Sequence, residues 1–184
     1  MKEMKLAGLI MDSTTNAPVI VLKDLEDKEV ISIWIGLLEA SAIAVELEKV
    51  DLPRPMTHDL VKNVLDSLNI KVLKVEIADL RDNTFYAYIH LGMGGKTFTI
   101  DARPSDAIAM AVRNTIPIFV DEEVMKVGSY EPEEEGKEKK TYTFETVSNK
   151  LDKLKEDLQK AVENEEYERA ADLRDQIKKI ESGS

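Results

Sequence analysis

The chain has 184 residues, 43% of them hydrophobic and 33% charged, with no cysteine and a formal net charge of −11 at pH 7. That length admits one full domain plus a small appendage, and the apolar fraction excludes wholesale disorder. The lack of cysteine excludes disulfides, thiolate metal sites and cysteine nucleophiles. The acidity is spread over residues 1–130 (14 basic, 20 acidic) and 131–184 (11 basic, 16 acidic), which excludes a non-specific nucleic-acid coat.

The opening MKEMKLAGLIMDSTT holds only a short apolar stretch, with neither a cleavage site nor a membrane-spanning run. A cytoplasmic protein is expected. Lys5 to Asp12 reads as a strand closed by a turn at Ser13–Asn16. Val19 to Leu22 is a second strand, Asp24–Lys28 a hairpin loop, and Val30 to Ile35 a third strand. Gly36 breaks that strand, and Leu38, Ala42, Val45 and Leu47 make the stripe of a helix ending near Val50. Pro53 and Pro55 cannot lie inside a helix. Thr57 is the expected N-cap of the next helix, whose apolar face is Leu60, Val61, Val64, Leu65 and Leu68. Ile70–Leu80, Thr84–Leu91 and Lys96–Asp101 alternate as strands, turning at Asp82-Asn83 and at Gly92–Gly95. Pro104 opens a helix to about Asn114, Pro117–Val120 is a short strand, and Asp121–Glu123 starts a last helical turn.

A 65-residue shift lays IGLLEASAIA (35–44) over IDARPSDAIA (100–109). Both copies read as strands, a tight junction and an Ala-Ile-Ala helix. The expected fold class is α+β, a single domain made from a duplicated βββα-like unit with a mixed, barrel-like sheet. Residues 131–145 read as an acidic linker. Residues 146–184 read as an antiparallel helical hairpin, with Leu151, Leu154, Leu158, Ala161 and Val162 on one helix. Tyr167, Ala170, Ala171, Leu173, Arg174, Ile177 and Ile180 follow on the other, after a break at Glu163–Glu166. So small a pair buries little by itself and is expected to dock on another copy or another protein.

Two polar clusters can carry chemistry. In Asp101-Ala102-Arg103-Pro104-Ser105-Asp106 a strand becomes a helix, so Arg103 and Ser105 can bind phosphate at the helix start. Asp101 and Asp106 can hold a divalent cation, Mg²⁺ or Mn²⁺, that activates water. The competing structural reading is a capped helix start with Arg103 paired to a neighbouring carboxylate. In Pro53-Arg54-Pro55-Met56-Thr57-His58-Asp59, His58 can move a proton with Asp59 orienting it, and Arg54 can contact phosphate. The competing reading is an exposed, capped first turn. Glu39 sits at the repeat position of Pro104 and can join the carboxylates if the copies face each other, or it is a solvated helix residue. Tyr86, Tyr88 and His90 share one strand face, which suits stacked bases or a helix-covered sheet.

The stretch from Met4 to Tyr130 resembles the bifunctional nuclease (BFN, DUF151) family. Ile35-Gly36 with Glu39-Ala40, Pro53–Leu60 and Ile100–Ala109 carry the resemblance. It implies cleavage of both DNA and RNA. Residues 147–182, above all YERAADLRD (167–175), resemble the UVR motif. In excision-repair proteins such as UvrB and UvrC, and in Clp protease partners, that hairpin mediates protein contact. Leu158, Tyr167, Ala171 and Arg174 are the expected partner-binding residues. The combined expectation is a nuclease with transient nucleic-acid contact. The alternative is a non-catalytic, homodimeric or larger platform that recruits a DNA-repair or Clp protease partner.

Overall fold

The computed structural model describes residues 1–12, 15–130, 155, 157–162 and 166–181. The expected linker 131–145, Ser13, Thr14, Leu151 and Leu154 lie outside the described residues. The chain divides into two compact units, Met1–Thr143 and Phe144–Ser184.

In the first unit the order is β1 (Lys2–Met11), β2 (Pro18–Asp24), β3 (Val30–Trp34), α1 (Leu37–Leu47), α2 (Thr57–Ser67), β4 (Lys71–Arg81) and β5 (Thr84–Met93). There follow β6 (Lys96–Ala102), α3 (Pro104–Asn114), β7 (Ile118–Val120), α4 (Glu122–Gly128) and β8 (Ser129–Tyr130). The strands form one sheet in the order β6-β5-β4-β7-β1-β2-β3-β8. The two expected three-stranded units, β1-β2-β3 and β4-β5-β6, therefore stand on either side of β7. The sheet is mixed because β7 runs parallel to β4 and antiparallel to β1.

Local chemistry sets the two tight hairpins of the second three-stranded repeat. Asp82 and Asn83 both take positive φ, as do Gly94 and Gly95. They join Arg81 to Thr84 and Met93 to Lys96 in two-residue turns, whose mirror-image twist matches the strands.

Among the described residues the sheet does not close, β6 and β8 being its edges. α4 packs on both β3 and β4, which stand four places apart. Val124 and Met125 of α4 are buried, as are Ile20, Leu22, Ile31, Val75, Ile77, Ala87 and Val120 of the strands. α3 packs against α1, α2, β4 and β5, burying Ala107, Ile108, Ala109, Met110 and Ala111.

Three expectations change in detail. The α2 stripe is not core: α2 buries no residue, and Leu60, Val61, Val64 and Leu68 are exposed. Leu38, placed on the α1 stripe, is also exposed, while Ala40 and Ile43 take its place in the core. The N-cap of α2 is Met56, and its N–H is satisfied by the Asp59 carboxylate at 2.8 Å, not by Thr57.

The second unit is a helical pair, α5 (157–162) and α6 (Tyr167–Glu181). The Glu166 N–H bonds the Ala161 carbonyl at 2.8 Å, and the Ala170 N–H bonds that of Glu166 at 2.9 Å. Ala161, Ala170 and Ile177 are buried. Tyr167 and Arg174 are exposed, and Leu158 and Ala171 are half-buried. Among the described residues no helix is long and apolar enough to cross a membrane.

Candidate functional site

α3 starts where Arg103 leaves β6 in an extended conformation and Pro104 supplies the first helical φ. That junction puts Arg103 and Asp106 on adjacent positions of the first turn. Arg103 Nε donates to Asp106 Oδ2 at 2.7 Å, and a terminal guanidinium nitrogen donates to Oδ1 at 3.2 Å. The other terminal nitrogen donates to Glu39 Oε1 at 2.8 Å. Glu39 stands in the first turn of α1, which packs on α3. One repeat therefore contributes the carboxylate and the other the guanidinium.

His58 reaches the same carboxylate from α2. Its Nε2 lies 3.1 Å from Asp106 Oδ1. A carboxylate only accepts, so Nε2 carries the proton and Nδ1 is left as the basic nitrogen. Burial pushes the Asp106 carboxyl up, but the Arg103 and His58 hydrogen bonds and charges outweigh it and hold it below its ordinary value. Arg103 is held firmly charged, first by Asp106 and then by Glu39.

Asp59 does not orient His58. Its Oδ1 accepts from Arg113 Nε at 2.6 Å and its Oδ2 from the Met56 N–H. The first turn of α2 is thus pinned twice to α3, through His58 at the start of α3 and through Asp59 at its end.

In front of Arg103 opens a cavity of about 350 Å³. Trp34, Ile35, Gly36 and Glu39 form one wall, Asn83, Thr84 and Phe85 another, and Arg103, Pro104 and Ser105 the floor. Ser105 is nearly buried. The Arg103 side chain is 64% exposed, so it is paired without being covered. Among the described residues three of its five N–H groups are engaged, leaving two to face a ligand.

The expected residues divide around this cavity. Arg103 and Ser105 line it; Asp106 and His58, the latter 17% exposed, stand behind Arg103. Asp101 is exposed on β6 opposite Tyr88, and Arg54 is exposed on the loop before α2; neither lines the cavity. Among the described residues no three His, Cys, Asp or Glu side chains come together in a way that could hold a metal ion. On the Tyr86-Tyr88-His90 face, His90 pairs with Glu76 at 2.9 Å and Arg81 lies over the Tyr86 ring. Sequence reasoning missed Trp34 altogether and left Glu39 undecided. For Glu39 the signals were the 65-residue repeat and its place among the residues that carry the family resemblance; for Trp34 the signal was its being the single tryptophan.

The comparisons with known proteins agree with this placement of motifs. Residues 20–133 match the model of the bifunctional nuclease domain. The chain belongs to the bifunctional nuclease domain family. Residues 148–183 match the UvrB/uvrC motif, in the order expected. An uncharacterized protein of Mycobacterium tuberculosis is 36% identical over 159 residues, covering 86% of this chain and 93% of that relative. Bifunctional nuclease 1 of Arabidopsis thaliana is 27% identical over 180 residues, and Bifunctional nuclease 1 of Oryza sativa subsp. japonica is 28% identical over 178. The chain spans about half the length of those two plant relatives, 55% and 53%. The cavity, Arg103, Asp106 and His58 all fall within the part matched as the bifunctional nuclease domain.

Proposed function

We propose that this bifunctional nuclease domain hydrolyses phosphodiester bonds of DNA and RNA at the Arg103 cavity. One observation carries the reading: Asp106 Oδ1 is shared by His58 Nε2 and an Arg103 terminal nitrogen, so one carboxylate orients both the imidazole and the guanidinium that faces the cavity. Arg103 binds the phosphate through its two unengaged N–H groups and neutralises charge as it builds. Water attacks phosphorus in line with the departing ester oxygen, its proton passes to His58 Nδ1 as the P–O bond breaks, and the ester oxygen takes its proton from solvent. Asp106 orients His58 and steadies its charged form. Ser105 adds a hydroxyl to the floor, and Arg54 steers the flanking backbone.

A divalent cation, Mg²⁺ or Mn²⁺, at Asp101 and Asp106 would require Asp106 to exchange Arg103 for the ion. The assay therefore uses single-stranded and duplex substrates with Mg²⁺, Mn²⁺ or EDTA. Expected is cleavage that falls at least a hundredfold in Asp106→Asn and His58→Gln, on the order of a lost general acid–base. Equal cleavage by wild type and both variants refutes the site, and the EDTA arm decides whether a cation takes part.

A platform role is the second reading, favoured by the UvrB/uvrC motif match and by the exposed apolar face of α2. We propose that the C-terminal helical pair docks on a protein partner through Leu158, Tyr167, Ala171 and Arg174, and that a second copy covers α2. Partners retained after deletion of residues 146–184 would count against the first proposal. A monomeric wild type in sedimentation, indistinguishable from Val64→Asp, would refute the second.

A further inference from the structure

Trp34 ends β3 and is 57% exposed, although tryptophan is among the most extensively buried side chains on average. No backbone requirement explains it, since any residue of high β-propensity would serve at Val19's partner position. Trp34 lines the same cavity as Arg103, whose side chain is 64% exposed. The volume, about 350 Å³, lies at the lower end of small-ligand sites. An open aromatic face beside an under-used guanidinium is the pairing that grips an unstacked base and its own phosphate.

We infer that Trp34 is a stacking platform for one nucleobase, so that the ligand of this cavity is single-stranded nucleic acid with an unstacked base next to the phosphate on Arg103. The inference rests on the reading of Arg103 as the phosphate contact. A paired duplex keeps both faces of its bases stacked, so it offers Trp34 nothing without unstacking first. Stacking tolerates any base, because every base has a π-face, which suits a site that takes DNA and RNA alike.

The chain's single tryptophan makes the test direct, because intrinsic indole fluorescence reports this wall alone. The full chain is titrated in EDTA with oligo-deoxythymidine, with an abasic strand of equal length, and with a blunt hairpin duplex. Gels verify that the strands stay intact. Binding is followed independently by anisotropy of labelled strands. Saturable quenching is expected with oligo-deoxythymidine and little with the other two. Trp34→Leu is expected to weaken oligo-deoxythymidine binding by about tenfold, and Trp34→Tyr, which keeps a ring, by much less. Equal affinity for the base-bearing and abasic strands overturns the platform, as does unchanged binding by Trp34→Leu. If Trp34→Leu changes nothing while Arg103→Ala abolishes binding, the platform falls and the phosphate reading stands. If Trp34→Leu weakens binding while Arg103→Ala does not, the platform stands and the phosphate reading falls. A wild type that binds none of the strands overturns both.

Discussion

Replacing Asp59 by Asn should destabilise the first unit by about 3 kcal/mol. The Arg113 side chain is 1% exposed, and Asp59 is its only charged partner among the described residues. Among the described residues its remaining bond goes to the Ala109 carbonyl at 3.2 Å, and its second terminal nitrogen has no partner. Breaking a buried pair by removing one member costs about 3–5 kcal/mol, because a charge is left unpaired away from water. Asp59 itself is 31% exposed, so water can reach the vacated place, which sets the lower end of that range. Asn keeps an oxygen for the Met56 N–H. Asp59→Ala also loses that cap and should cost about 1 kcal/mol more. At about 2–4 °C per kcal/mol for a chain of this size, Asn should lower Tm by roughly 6–12 °C. Urea unfolding followed through Trp34 fluorescence, with circular dichroism alongside, measures it. Arg113→Met removes the charge that Asp59 serves, so in that background Asp59→Asn should cost less than about 1 kcal/mol. A cost below about 1 kcal/mol in the wild-type background, or the same cost in both backgrounds, would refute the reasoning. The pH dependence follows from the same contact. Burial raises the Asp59 carboxyl, but Arg113, the Met56 N–H and His58 together leave it below its ordinary value. The unfolded chain then takes up the proton first. The contribution is complete above about pH 5 and is lost as pH falls through the folded value.

Asp24 should add a second acid-labile increment. Lys2 at 2.9 Å and the Glu29 and Lys28 N–H groups bring its carboxyl down to about 2. The stability it contributes is present above the unfolded value and is lost as pH falls from about 4 toward 2; Asp24→Asn should flatten an acid titration of Tm in that window. Gly36→Ala should loosen the site without unfolding the domain. A Cβ at Gly36 would overlap Glu39 Oε2, the tip of a movable side chain, so Glu39 should swing away from Arg103. Nucleic-acid affinity should change several-fold while Tm moves by less than about 2 °C; an unaltered affinity would show that the Glu39 contact does not set the Arg103 position. Arg103→Lys should lose most of the affinity that Arg103 provides, because an ammonium cannot bridge Glu39 and Asp106 in one plane and still face a phosphate. An unchanged dissociation constant would contradict that geometry.

Much of the architecture was legible because it is written in short-range chemistry. Pro53 and Pro55 mark the break between α1 and α2, and Pro104 marks the start of α3. Asp82-Asn83 and Gly94-Gly95 mark the two tight turns, since few other residues accept positive φ there. The 65-residue repeat announced two equivalent three-stranded units, which the strand order confirms. The errors fall where a side chain's role depends on what lies opposite. Leu60, Val61, Val64 and Leu68 carry a helical period whether that face meets a core or stays exposed, and the period alone cannot tell the two apart. Asp59 was paired with His58 because they are neighbours in sequence. Consecutive residues on a helix point about 100° apart, however, so His58 and Asp59 turn to different ends of α3.

By itself the sequence determined the family, the repeat and the stretches where polar residues cluster beside a break, because composition, turn chemistry and motif spacing are properties of neighbours along the chain. Only the tertiary structure decided which of those residues meet. Packing α1 and α2 on α3 joined Glu39, Arg103, Asp106 and His58 into one line, left Asp101 and Arg54 outside it, and brought Trp34 to the same cavity. Side chains about 50 to 65 positions apart become partners only when the helices that carry them are pressed together by the burial of their apolar faces.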